Sequence, residues 1–328
     1  MAKFLYVLDH CLPIFLPSPF ALFLVLQPYS MQNRLLLLLI PVLCTLTSCQ
    51  SRMGPAQLQQ AITDTLSRQE GRFAVAFKNL ATGEEILINE HETFHAASTM
   101  KTPVLIEVYK QAAEGKFALT DSVLIKNEFK SIVDSSTYSL NPADDSEQKL
   151  YTLIGTKRTL YQLVYDMIIM SSNLATNLII EKVDAKKVTQ TMRQLGAKDI
   201  QVLRGVEDSK AFEKKLNNTT TAYDLMVIFD KIASGAAVDS TASKEMINIL
   251  LDQHFNDMIP ALLPAAVKVA HKTGNITGVL HDSGIVIRPD GHQYVLVLLS
   301  ADIKDEAAVK MAMAQVSRTI YQYVMQPD

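Results

Sequence analysis

Apolar positions along this chain change period three times, and the changes divide it. From Pro55, the residues Leu58, Ala61, Ile62 and Leu66 recur at three- and four-residue spacing. That is one face of a helix, opened by proline and stopped by Gly71. Residues 72–79 then alternate, with Phe73, Val75 and Phe77 on one side. Ala81-Thr82-Gly83 turns the chain, and 85–89 reads as a second strand. Met100, Val104, Leu105 and Val108 restore helical spacing over 99–114, ended by Gly115. Residues 117–157 are mixed, most polar over 141–148, and predict a loop excursion with short pieces of order. The middle is helical: 160–170 behind the cap Thr159, then 174–183, 185–195, 222–234 behind Thr219-Thr220-Thr221, and 243–251. Strands return at 267–270, 284–288 and 294–301, and 305–325 closes the chain as a helix.

Strands at both ends around a helical middle predict an α/β fold of the α+β type. A single antiparallel sheet built from 55–95 and 265–328 is expected, flanked by helices, with 96–264 as an all-helical second subdomain. A functional site belongs in the cleft between them. The 328 residues suffice for such a core, and nothing in the composition departs from a globular protein. The net charge of −3, with no basic block, argues against nucleic acid as a partner. Nothing in the sequence suggests an obligate assembly, and a monomer is expected.

Before residue 50 the pattern is different. Arg34 precedes an apolar run over 35–40, followed by Pro41 and residues to Thr47, the layout of a secretory signal. Its end, Leu46-Thr47-Ser48-Cys49, is similar to a bacterial lipobox, in which the cysteine is lipidated and becomes the mature N-terminus. Residues 1–49 are therefore read as a leader, with an uncleaved apolar anchor as the alternative. Residues 50–328 are read as a membrane-tethered, extracytoplasmic (periplasmic) catalytic domain. A second apolar stretch over 1–30 carries Asp9 and three prolines, which suggests that translation starts at Met31. All three cysteines, Cys11, Cys44 and Cys49, lie in this leader. The rest of the chain can form no disulfide and no cysteine-ligated metal site, and it has no H-E-x-x-H spacing. Neither a metal nor a cofactor is expected.

Chemistry enters at Ser98-Thr99-Met100-Lys101. A serine and a lysine three positions apart share a helix face, and a lysine of lowered pKa can activate a serine hydroxyl. Ser171-Ser172-Asn173 follows between two apolar helices, and Lys272-Thr273-Gly274 lies at the end of the strand 267–270. The order S-x-x-K, S-x-N, K-T-G, at separations of about 70 and about 100 positions, resembles the class A β-lactamases and their penicillin-binding relatives. The resemblance covers residues 55–328. It implies that Ser98 is the nucleophile, Lys101 its base, and Ser171 the relay of a proton to the departing nitrogen. It further implies that Asn173 binds the substrate's side-chain amide, and that Lys272 and Thr273, with Gly274, bind the substrate carboxylate. The backbone N–H groups of Ser98 and Asn275 would form an oxyanion hole, donors often worth a few kcal/mol of barrier.

The resemblance thins at the deacylating base. Arg204-Gly205-Val206-Glu207-Asp208 precedes Asn218, and Arg204 and Asn218 stand 14 positions apart, close to the family's loop length. Glu207 is the expected base and Glu213 the fallback. Asn218 stands where an aspartate is usual, so the family's buried ion pair is lost or becomes a hydrogen bond. Ser172 replaces an aspartate. His281-Asp282 falls where many members place a carboxylate-binding arginine, and a charged His281 could take that role or be a strand-start histidine. The expected activity is hydrolysis of a β-lactam. The alternatives are a D-alanyl-D-alanine peptidase that deacylates slowly on cell-wall peptide, and a non-catalytic peptidoglycan-binding lipoprotein.

Overall fold

The computed structural model describes residues 52–326. The expectations for the leader, including Met31 as the start and lipidation of Cys49, lie outside the described residues.

Five strands form the main sheet: β1 (Arg72–Asn79), β2 (Glu85–Ile88), β3 (Lys268–Ile276), β4 (Val279–Ile287) and β5 (Gln293–Ala301), in the order β2-β1-β5-β4-β3. Every neighbour is antiparallel, and β1 pairs with β5 from Arg72↔Ala301 to Asn79↔Tyr294. The expected union of the two chain ends is thus made by the central pair of the sheet. Period-two alternation sends Phe73, Val75, Phe77, Leu296 and Leu298 to an outer core. Helices α1 (Pro55–Leu66) and α9 (Glu306–Val324) cover that face. Ala74, Ala76, Val295, Val297 and Leu299 point the other way, into the core shared with the remaining helices. With both faces covered, β5 reads as an almost unbroken apolar run.

On the inner side stand α2 (Lys101–Ala113), α3 (Leu160–Ile169), α4 (Asn173–Val183), α5 (Ala185–Leu195), α6 (Ser209–Glu213), α7 (Ala222–Ala233) and α8 (Ser240–Leu251). Local chemistry sets their ends. Thr159 and Gln162 make a reciprocal capping box at α3, Thr221 accepts from Asp224 N at α7, and Gly196 closes α5 with φ 97°. α2 is buried at nearly every position, which makes it the central helix. Among the described residues, no helix is long and apolar enough to cross a membrane.

Three expectations change. β4 begins at Val279, ahead of the strand expected at 284–288. β3 does not stop near residue 270 but runs to Ile276, so Lys272-Thr273-Gly274 lies within the strand. Polar side chains at 271–273 hide the continuation in the sequence, and pairing with Asp282 and Ser283 of β4 secures it. The loop after Arg204 contains α6, too short and too polar to show a period.

Candidate active site

The site is built where α2, α4 and β3 converge. Ser98 lies in a short 3₁₀ turn, Ala97–Met100, that feeds into α2, and Lys101 N donates to Ser98 O. Lys101 is the first residue of α2 and is fully buried. Its Nζ donates to Ser171 O at 2.7 Å, Ser171 Oγ at 3.1 Å and Asn173 Oδ1 at 3.0 Å. Burial is the main cause that lowers its pKa to about 7, against opposing pulls from Asp145 and Glu207. Lys272 is also fully buried, and its Nζ donates to Ser171 Oγ at 3.0 Å and to Thr273 O at 2.9 Å. Burial first, then the neighbouring Lys101, pushes Lys272 well below the usual lysine range. Two amines therefore flank one hydroxyl. Ser171 Oγ has a single proton, so it can accept from one lysine while donating to the other when that one is neutral. This is a proton path from Lys272 through Ser171 to Lys101.

Gly274 brings the strand against the turn that carries Ser98. A Cβ there would stand 3.2 Å from Ser98 N and from Thr99 N, so a side chain would push the two apart. Ser98, Ser171, Asn173, Thr273 and Asn275 line a cavity of about 370 Å³. Ser98, Asn173, Glu207 and Asn275 also line an adjoining one of about 570 Å³. Ser98 is thus open on two sides. Three residues at the site hold positive φ without being glycine: Ala97 at 45°, Ser171 at 56° and Glu207 at 61°. Such conformations cost about 1–3 kcal/mol each and cluster where side chains must be aimed.

Glu207 joins the set. Asn173 Nδ2 donates to its Oε1 at 2.6 Å, so Asn173 bridges Lys101 and Glu207. The residue is exposed at the rim, with its carboxylate on the cleft wall. Partial burial raises its pKa, Asn173 opposes this, and Asp145 and Asp144 add to it. Glu213 ends α6 exposed and outside both cavities, so the fallback is withdrawn in favour of Glu207. Asn218 replaces the ion pair with backbone hydrogen bonds. It accepts from Leu203 N and Arg204 N and donates to Arg204 O at 3.0 Å. The Arg204 guanidinium instead donates to Leu216 O and Gly205 O.

His281 must be corrected. It is fully buried, with Nε2 donating to His95 O at 2.9 Å and Nδ1 accepting from Ser300 N at 3.2 Å. Burial lowers its pKa to about 4, so the ring is neutral and cannot serve as a carboxylate-binding cation. The sequence reading also missed two residues. Asp145, within the polar stretch 141–148 of the expected loop excursion, is buried. Its Oδ2 accepts from Asn173 N, Leu174 N and Tyr151 OH, each at 2.9 Å. An anion at a helix N-terminus is the signal that could have found it. Lys310, near the start of α9, lines the cavity shared by Ser98 and Thr273 and pairs with Asp257 at 2.9 Å and Glu306 at 2.8 Å. Ser172 caps α4 by accepting from Ala175 N. Among the described residues, no group of three or more His, Cys, Asp or Glu side chains could hold a metal.

An antiparallel sheet flanked by helices, with a Ser-Lys-Ser-Lys cluster at their junction, defines a serine hydrolase of the β-lactamase type. The family model described as "Beta-lactamase enzyme family" matches residues 57–324, and the chain belongs to that family. It is 23% identical to the extended-spectrum β-lactamase PER-1 of Pseudomonas aeruginosa, over 84% of this chain and 89% of that one. Among solved structures, a β-lactamase from Sphaerobacter thermophilus superimposes with a TM-score of 0.71 at 25% identity, covering 84% of this chain and all of that one. PBP-A superimposes with a TM-score of 0.69 at 27% identity, over 81% of this chain and 95% of its own.

Proposed function

We propose that the chain opens the amide of a β-lactam ring through an acyl-enzyme on Ser98. The observation that carries this is Lys101, a buried amine with its pKa lowered to about 7, bonded to Ser171 and Asn173 beside Ser98. In its neutral form Lys101 takes the Ser98 proton as Oγ attacks the carbonyl carbon. The backbone N–H groups of Ser98 and Asn275 hold the developing oxyanion. Ser171 then gives its proton to the departing ring nitrogen and is resupplied by the lysines on either side of it. Glu207 activates the water that releases the acyl group, and Asn173 ties that carboxylate to Lys101. Thr273 and Lys310 receive the substrate carboxylate; Lys310 replaces His281 in that part. The domain is proposed to act as a monomer. Cys49 carries the lipid that tethers the domain outside the cytoplasm, and loss of membrane association in Cys49→Ser would be expected.

A second reading is favoured by the likeness to PBP-A and by the unusual sequence around Glu207: acylation with slow release. One experiment separates the two. Residues 50–328 are mixed with a chromogenic cephalosporin and followed by absorbance and intact-mass spectrometry. Rapid turnover is expected; a persistent Ser98 adduct without turnover would favour the second reading, and neither would reject both.

A further inference from the structure

His271 and Asp282 form a fully buried pair on the outer face of the sheet, one strand apart, next to the site but not in it. His271 Nδ1 lies 2.8 Å from Asp282 Oδ1, and its Nε2 lies 3.2 Å from Asn256 Oδ1. Asn256 Nδ2 donates to Gln253 O at 2.7 Å, which fixes its oxygen toward the imidazole. Both ring nitrogens therefore face an oxygen, one of the Asp282 carboxylate and one of the Asn256 amide. The other carboxylate oxygen of Asp282 accepts from Ile259 N at 3.0 Å. The pair thus grips the segment 256–259 at both ends. Phe255, Asp257 and Met258 of the same stretch line the cavity that contains Ser98 and Thr273. Asp257 in turn holds Lys310. Asp282 also sits directly opposite Thr273 in the β3–β4 register.

We propose that the His271–Asp282 pair is a positioning device for the carboxylate-binding end of the cleft. It fixes the wall segment through Asn256 and Ile259, and through Asp257 it places Lys310 beside Thr273. His271, Asp282 and Asn256 are positioning residues: none lines the cavity, and each acts through Lys310. A buried polar pair is weak evidence of stability, because its desolvation offsets its attraction. A role in placing the wall explains why the pair reaches outward to two points of one segment. The proposal rests on the assignment of Lys310 to the substrate carboxylate.

The test uses Asn256→Ala, which leaves the buried pair and its bond to Ile259 N in place and removes its grip on residue 256, with Asn256→Asp as the conservative variant that keeps an acceptor. A carboxylate-bearing cephalosporin and its neutral methyl ester are compared, and Lys310→Ala is made alone and combined with Asn256→Ala. Asn256→Ala is expected to raise KM for the acid about tenfold, within the range that small misplacements cost. Its kcat should stay within about twofold, with no change in KM for the ester. Asn256→Asp should restore KM, and the double variant should be no worse than Lys310→Ala alone. Hydrogen exchange should show faster exchange over 254–259 in Asn256→Ala, whether or not the enzyme turns over. Unchanged exchange over that stretch, or an equal KM rise for acid and ester, would overturn the proposal. An unchanged KM in Lys310→Ala would overturn it through the assignment it rests on. A wild-type chain that neither turns over nor forms an adduct would instead reject the proposed activity.

Discussion

Lys101 is enclosed on every side, and the same burial that costs stability makes it usable as a base. Only the neutral amine can accept the Ser98 proton. Acylation should therefore be weak at pH 5, rise through a midpoint of about 7, and level off above it. Stopped-flow acylation across this range checks the point, and a flat profile would remove Lys101 as the base. Lys101→Ala should slow acylation by about 10²–10⁴, the range for removing a general base. At this scale the sequence was legible where chemistry depends on order along the chain. Lys101, Ser171, Asn173 and Lys272 were readable because each motif lies at a helix start or in a strand, and the fold hydrogen-bonds them to one another beside the cavity that Ser98 lines. His281 was misread because polarity says nothing about depth: a strand histidine between two backbone partners looks the same in sequence as one facing solvent.

Among the elements, the segment from Arg204 to Asn218 carries Glu207 and has the least regular structure at the site. Its conformation is held from outside. Asn177 of α4 accepts from Val206 N at 2.6 Å and donates to Val206 O at 3.1 Å. Any Cβ at Gly205 would fall 2.2 Å from Asn177 Oδ1. Asp208 accepts from Ser131 Oγ and Ile132 N, tying the segment to the turn between the paired short strands Phe129–Lys130 and Thr137–Tyr138. None of these pairings has a local signature, because each joins residues about 30 or more positions apart, so the sequence could only nominate Glu207 by its neighbourhood. Asp145 holds the start of α4 in the same way. Asp145→Ala removes the acceptor shared by Asn173 N, Leu174 N and Tyr151 OH and leaves those donors without it. It should lower stability by about 1–3 kcal/mol. Because Asn173 begins that helix and Ser171 lies just before its cap, kcat should fall as well; denaturant unfolding with parallel kinetics would show both changes, and a loss of neither would contradict the role.

Across the whole molecule, the sheet belongs to two cores, and this made the fold readable. Alternation in β1, the apolar run of β5 and the amphipathic α1 and α9 each point to a sheet covered on both faces. What could not be read was the extent of β3, where function placed polar residues in positions that a strand would ordinarily fill with apolar ones. Leu298 belongs to the outer core and lines neither cavity beside Ser98. Leu298→Ala should cost about 2–5 kcal/mol of stability. Its kcat should stay near wild type at temperatures where the fold persists; thermal unfolding beside kinetics at low temperature separates these effects. The central claim is that Ser98 is acylated by a β-lactam and that Glu207 governs release. Its most direct test is intact-mass spectrometry of wild type, Ser98→Ala and Glu207→Gln after mixing with a cephalosporin. A transient adduct in wild type, none in Ser98→Ala and a persistent one in Glu207→Gln are expected. An adduct that survives in Ser98→Ala, or one that clears from Glu207→Gln as fast as from wild type, would contradict the account.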